Sequence, residues 1–362
     1  LDRFDDLLRG SGERPMATTM AFVRLLRKLL RERPLGPRVV PIVPDEARTF
    51  GMDAMFREHG IYSSLGQLYQ PVDRETLLYY REAKDGQLLE EGITEAGAAS
   101  SFIAAGTAYA RHGAPMLPFY IFYSMFGFQR VGDFAWAAGD MQARGFLLGG
   151  TAGRTTLGGE GLQHQDGHSH VLSSTIPNCV SYDPCFGYEL AVIIHEGMRR
   201  MCVDQENVFY YSTVMNENYA QPPLPRRKDV NEGILRGMYL LQEGNPKVKA
   251  KVQLLGSGTI LREVIAAAKL LRDDFGIAAD IWSVTSFTEL RREGLEVERW
   301  NTLHPEEEPR TCWVEECLAE RRGPVVAASD YLKIYADQIR PFVRAPYKVV
   351  GTDGFGRSDN RK

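Results

Sequence analysis

Hydrophobic and polar positions follow two rhythms along this chain. Between Thr18 and Arg33, the residues Met20, Phe22, Val23, Leu25, Leu26 and Leu29 recur among Arg and Lys at helical spacing, which predicts an amphipathic helix. Pro34, Gly36 and Pro37 stop it. The apolar run from Val39 to Pro44 then predicts a short buried strand ending at Asp45 and Glu46. The alternation continues. Leu88 to Thr94 lead into a helix of small residues from Ala96 to Ala110. Strands are predicted over Met116–Tyr123, Gly145–Gly150, Ile176–Tyr182 and Val208–Val214. Helices are predicted over Asp133–Ala143 and Tyr188–Cys202.

Pro222, Pro223, Pro225 and a basic triplet mark Gln221 to Asp229 as an exposed link. A second unit follows, with strands over Lys251–Leu255, Ala279–Thr285, Val325–Ser329 and Tyr347–Gly351 and a helix over Leu261–Asp274. Strands alternating with helices predict an α/β fold of mainly parallel, doubly wound sheets. We divide the chain into a domain over 1–235 and a second over 236–362. Leu1 is an unusual first residue, and no helix covers the last strand before Lys362, so a longer parent protein is expected.

Composition narrows the class. A length of 362 residues at 44% hydrophobic content allows a large core, and a formal net charge of −4 offers no basic field for nucleic acid. No apolar stretch is long enough to predict a membrane span. The five cysteines, Cys179, Cys185, Cys202, Cys312 and Cys317, form no CxxC pair, which suits reduced thiols in a cytoplasmic enzyme.

Four features are candidates for chemistry. Gly256-Ser257-Gly258 follows a strand and opens a helix, but Leu261 stands where a dinucleotide fingerprint needs its third glycine. A tight structural turn is the better reading. His164, Asp166, His168 and His170 form the densest polar cluster, after a glycine-rich run. A zinc site for a metal-dependent hydrolase, a catalytic loop and a solvated loop all fit that pattern. Glu95 sits at a helix start, where favouring the helix dipole is the ordinary role of a glutamate. Its neighbours Ile93, Ala96, Gly97, Ala98 and Ala99 are apolar or small, so a carboxyl group there is drawn toward holding a proton. Phe119, Tyr120, Phe122, Tyr123, Phe126 and Phe128 crowd one strand and its end. Most such rings are core, but Ser124, Met125 and Gly127 break the strand and leave some able to stack a flat heterocycle.

Several long segments resemble one family: Val43–Met52 (VPDEARTFGM), Phe119–Arg130 (FYIFYSMFGFQR), Trp136–Gly145 (WAAGDMQARG), Arg154–His170 (RTTLGGEGLQHQDGHSH) and Gly351–Asp359 (GTDGFGRSD). They look like the homodimeric, bacterial-type decarboxylating component of pyruvate dehydrogenase, a transketolase-like thiamin diphosphate enzyme. By that resemblance, residues 1–235 are a pyrimidine-binding domain and 236–362 a transketolase-like C-terminal domain.

The resemblance assigns residues by position. Glu95 matches the glutamate that shares a proton with the pyrimidine ring, Phe126 the ring stacked on it with Tyr123 beside, and Ile93 the apolar wedge that bends the cofactor. Asp45, Glu46 and His164 match polar residues on the substrate side, while the roles of His168 and His170 stay open. The implied reaction is oxidative decarboxylation of pyruvate with acetyl transfer to the lipoyl group of dihydrolipoamide acetyltransferase. A close relative acting on 2-oxobutyrate would look much the same. Dihydrolipoyl dehydrogenase is the implied third component. One departure matters: the family's Gly-Asp-Gly motif, which holds the diphosphate and Mg2+, does not occur here. The resemblance therefore implies only the pyrimidine half of a cofactor site shared across a homodimer, with no metal ligand on this chain.

Overall fold

The computed structural model describes residues 1–44, 47–72, 80–357 and 359. The first sheet contains β1 (Val39–Val43), β2 (Leu89–Glu90), β3 (Leu117–Tyr123), β4 (Phe146–Gly150), β5 (Cys179–Tyr182) and β6 (Phe209–Thr213). Their order across the sheet is β2-β1-β3-β4-β6-β5, every neighbouring pair parallel. Strands in a parallel sheet covered on both faces need apolar residues at every position. β3 and β4 satisfy this, with all but Tyr123 buried.

One face is covered by α1 (Thr18–Arg31) and α4 (Gly187–Met198), the other by α2 (Glu95–Gly106) and α3 (Gly127–Asp140). Ala98, Ala99, Ala135 and Ala138 are buried where α2 and α3 meet the sheet, since small side chains permit a close approach. Phe119 stacks on Phe146 at 4.7 Å in the opposite layer. Each such ring, fully buried, contributes roughly 1.5–3 kcal/mol. The helix predicted from Asp133 begins earlier, at Gly127, and bends at Val131, whose φ is −130°. The one predicted to reach Cys202 ends its regular turns at Met198 and closes with a wider turn over Arg199–Val203.

The second sheet holds β7 (Met238–Gln242), β8 (Lys251–Gly256), β9 (Ala278–Val284), β10 (Val325–Ala328) and β11 (Tyr347–Val350), in the order β11-β10-β8-β9-β7. β7 runs antiparallel to β9 and the rest are parallel. α5 (Ile260–Phe275) follows β8, and α6 (Phe287–Leu303) follows β9. Neither β7 nor α6 was expected. β7 is partly exposed, and α6 buries only a narrow stripe under a heavily charged surface. No helix among the described residues is long and apolar enough to cross a membrane.

The two sheets share one core. Val252, Leu254, Leu261 and Ile281 join the cluster that contains Phe146, Tyr188 and Ile193. The seam also carries buried polar groups. Asp183 accepts hydrogen bonds from Thr213 Oγ1 at 2.6 Å, Ser257 Oγ at 2.7 Å and Tyr331 OH at 3.2 Å. The turn at Gly256-Ser257-Gly258 thus spends its side chain, and the Gly258 N–H at 3.0 Å, on this residue of the first unit.

Burial pushes the Asp183 carboxyl up to about 7, against those three hydrogen bonds. An unfolded aspartate titrates near ~3.9. Between these values the native state holds a proton that the unfolded chain has released, so this group's contribution falls as pH rises from about 4 to about 7. Asp183→Asn mimics the protonated form. Its thermal midpoint should fall less than that of the parent between pH 5 and pH 8. Parallel pH profiles for the two proteins would contradict this reading.

Candidate active site

Open parallel sheets place their sites at the carboxyl ends of the strands. Here four segments converge at one such edge. Thr94 precedes α2 and caps it, accepting from the Gly97 N–H at 3.2 Å. Glu95 is therefore the first helical residue, and the Tyr120 hydroxyl, rising from β3, donates to its carbonyl at 3.2 Å. Burial raises the Tyr120 hydroxyl well above the ordinary tyrosine range, and Glu95 and Glu91 add to that push, so it stays a donor.

The Glu95 side chain is 12% exposed and accepts from Arg130 Nη1 at 2.8 Å. This corrects the expected apolar setting: small neighbours admit a guanidinium as well as exclude water. The same guanidinium lies 3.8 Å from the centre of the Phe126 ring. Arg130 belonged to the quoted FYIFYSMFGFQR segment but drew no role. The signal was present, because Phe126 and Arg130 are four residues apart at a helix start, where such pairs face one way.

Phe126 ends a single turn, Ser124–Phe126, at the carboxyl end of β3. The Tyr123 ring lies edge-on at 5.7 Å, and Phe50 approaches Tyr123 at 5.3 Å. His164, at the end of the turn Leu162–His164, packs against both, 4.7 Å from Tyr123 and 5.1 Å from Phe126. The structure thus brings together Glu95, Tyr123, Phe126 and His164. Ile93 stands two residues before Glu95, 78% exposed. Asp45 and Glu46, which follow β1, lie outside the described residues.

His164 Nδ1 is buried with no hydrogen-bond partner among the described residues. A buried polar nitrogen without a partner is costly, and such atoms point to a ligand or a chemical role. The other histidines separate from it. His168 donates its backbone N–H to Asp166 at 3.0 Å. His170 is fully buried, with Nδ1 2.7 Å from Ser181 Oγ, Nε2 3.0 Å from Thr213 Oγ1 and its ring stacked on Tyr335 at 4.8 Å. Burial lowers its pKa to about 3, so the ring is neutral. Both ring nitrogens are already spent on hydroxyls. No group of three or more His, Cys, Asp or Glu among the described residues is arranged to hold a metal ion. The zinc reading of the cluster does not fit this arrangement.

The arrangement offers a carboxylate at a helix start, bridged by the Arg130 guanidinium to the Phe126 ring, with Tyr123 and His164 packed against that ring. It suits a flat heterocycle with a protonatable ring nitrogen, held against the Phe126 ring and proton-linked to Glu95.

Residues 2–222 match the pyruvate dehydrogenase E1 component middle domain, and residues 237–362 match the transketolase-like C-terminal domain. The pyruvate dehydrogenase E1 component of Pseudomonas aeruginosa is 67% identical over 100% of this chain, which spans 41% of that protein. The Escherichia coli K12 protein of the same name is 56% identical over 100% of the chain and 40% of its own length. Among solved structures, transketolase from Campylobacter jejuni superposes with a TM-score of 0.67 at 18% identity, covering 98% of this chain and 45% of its own. A split-gene transketolase described as an inactive beta4 tetramer gives a TM-score of 0.62 at 16% identity, over 94% of this chain and 90% of that one. The chain thus spans about two fifths of the curated relatives it matches.

Proposed function

The chain belongs to the pyruvate dehydrogenase E1 component family, and on that premise we propose that it carries the pyrimidine half of a thiamin diphosphate site. The parent protein would decarboxylate pyruvate oxidatively and pass the acetyl group to the lipoyl group of dihydrolipoamide acetyltransferase. The observation that carries this reading is Glu95 at a helix start, joined through the Arg130 guanidinium to the Phe126 ring, against which Tyr123 and His164 pack.

When bound, thiamin diphosphate supplies the electron sink that decarboxylation needs. The chain's own residues do the rest. Glu95 holds or yields a proton at the pyrimidine ring nitrogen. Phe126 would offer a face for that ring, with Tyr123 at its side, and Ile93 would serve as the apolar wedge that keeps the cofactor bent. His164, whose Nδ1 has no hydrogen-bond partner among the described residues, and the acids Asp45 and Glu46 orient the oxoacid and handle protons on the substrate side. We assign residues 1–235 to the pyrimidine-binding domain and 236–362 to the C-terminal domain.

The chain has no Gly-Asp-Gly, so we place the diphosphate and Mg2+ on another stretch of protein, contributed across a homodimer. The assembly would work in the cytoplasm with the acetyltransferase and dihydrolipoyl dehydrogenase. The split-gene transketolase, which matches this chain over nearly its whole length and is described as inactive, is consistent with an incomplete site. The test is an assay of lipoyl acetylation from pyruvate by the complete protein and by these 362 residues alone. Turnover is expected only from the complete protein. Turnover by the chain alone would refute the half-site, and a preference for 2-oxobutyrate would refute the substrate.

A further inference from the structure

Two of the segments that carry the family resemblance lie far apart in sequence and meet in space. Arg154 opens the first, and its guanidinium joins them. The residue is 7% exposed. Its Nε donates to the Gln165 carbonyl at 3.1 Å. Its Nη1 donates to the carbonyls of Thr352 and of Gly354, the latter at 2.7 Å, across 198 and 200 positions. Three neutral carbonyls on one buried guanidinium are an unusual way to spend a charge. The charge is balanced by the surrounding acids Asp166, Asp330 and Asp353. Asp330 in turn accepts from the backbone N–H groups of Arg154, at 2.9 Å, and Thr155, at 3.0 Å.

The contact is tight on both sides. A Cβ at Gly167 would lie 2.5 Å from the Arg154 guanidinium carbon, and one at Gly356 would lie 2.2 Å from Gln165 Cβ. The Leu332 N–H also donates to the Gly167 carbonyl at 2.8 Å. Gln165 is the next residue after His164. The carbonyl that Arg154 Nε grips therefore sits on the residue that follows the candidate catalytic histidine.

We propose that Arg154 is a positioning residue: it clamps the segment 352–356 of the C-terminal domain onto the loop 164–167 and so sets where the His164 ring stands. The C-terminal domain thereby acts on the site without contributing a side chain to it. The proposal rests on the reading of His164 given above.

The test uses the complete enzyme. Arg154→Met keeps the bulk of the side chain and removes the donors. Hydrogen exchange should quicken together in 161–167 and 351–357 and stay unchanged in α2. The value of kcat should fall ~10-fold, while in a His164→Ala background the same substitution should cost less than ~2-fold, because residues that act as one unit are not additive. Arg154→Lys, which keeps the charge but not the fork, should shift both readouts in the same direction by less. It serves in the cycle should the methionine variant fail to fold. Additive losses, or exchange that rises in only one segment, would overturn the clamp. A normal rate for His164→Ala would instead overturn the reading of His164, which the exchange data would show separately from the clamp.

Discussion

In the complete enzyme, Glu95→Gln should lower the rate of pyruvate turnover at least ~100-fold with the fold intact, the scale of losing a proton-transfer group. The substitution keeps the size of the side chain. It also keeps an oxygen for Arg130, which donates to Glu95 at 2.8 Å, and leaves the Thr94 cap and the Tyr120 contact untouched because both use backbone atoms of the helix start. The ability to share a proton is lost, together with the negative charge that faces the half-exposed Arg130 guanidinium. Steady-state kinetics beside circular dichroism and an unfolding curve separate the two effects. A near-normal rate would remove Glu95 from the chemistry and return it to the ordinary role of a first-turn glutamate.

The second large effect is on stability. Glu189 is fully buried in α4 and accepts four hydrogen bonds, from the N–H groups of Cys185 at 2.7 Å and Phe186 at 2.9 Å, from Tyr239 OH at 2.7 Å and from Ser283 Oγ at 2.6 Å. Burial raises its pKa, and the four donors work against that rise. Glu189→Leu leaves two backbone donors buried without acceptors, each costing ~1–3 kcal/mol. The hydroxyls of Tyr239 and Ser283 can turn elsewhere, and burying a carboxylate has its own cost, so a net loss of about 3 kcal/mol is expected. That is a large share of the ~5–15 kcal/mol that holds a domain folded. Urea unfolding measures it. A loss under ~1 kcal/mol would mean that Glu189 adds little to the seam and that its apolar contacts and the Asp183 cluster suffice. Glu189→Gln keeps one acceptor oxygen and should lie between the two.

Much of this architecture was legible from residue order. Buried strands such as Phe146–Gly150 are apolar at every position and flanked by glycine or proline, so their rhythm survives without knowledge of partners. β7 and α6 were missed for the opposite reason. Met238–Gln242 has a burial pattern broken by its place at a sheet edge. Phe287–Leu303 presents so many Glu and Arg that its buried residues, Phe287, Leu290 and Gly294, stand out only once Phe342 and the rest of the second core are in place.

The site divides in the same way. Glu95, Phe126 and His164 lie in three separate stretches, and local spacing alone does not place them together. The resemblance named them, and the strand order β2-β1-β3-β4 brings the segments that follow β2, β3 and β4 to one edge. Arg130 and Arg154 escaped because their partners are a carboxylate 35 positions away and carbonyls 198 and 200 positions away. No local pattern encodes those long-range pairings, and for Arg130 only its spacing from Phe126 was there to be read. The histidine cluster failed as a metal site because its side chains diverge. His170 turns into the core to meet Ser181 and Thr213, while His164 turns out toward the aromatic rings.

α4 buries every residue from Gly187 to Ile194, and the partner of its Glu189 on β9 lies 94 positions further along the chain. A ribosome adds roughly 5–20 residues each second. For several seconds of synthesis this helix has only half of its cover, with an apolar flank and an acid that lacks two of its donors turned to water. The order in which the polypeptide emerges therefore opens an interval in which the first half is nearly complete and still adhesive, and in which a chaperone has most to hold.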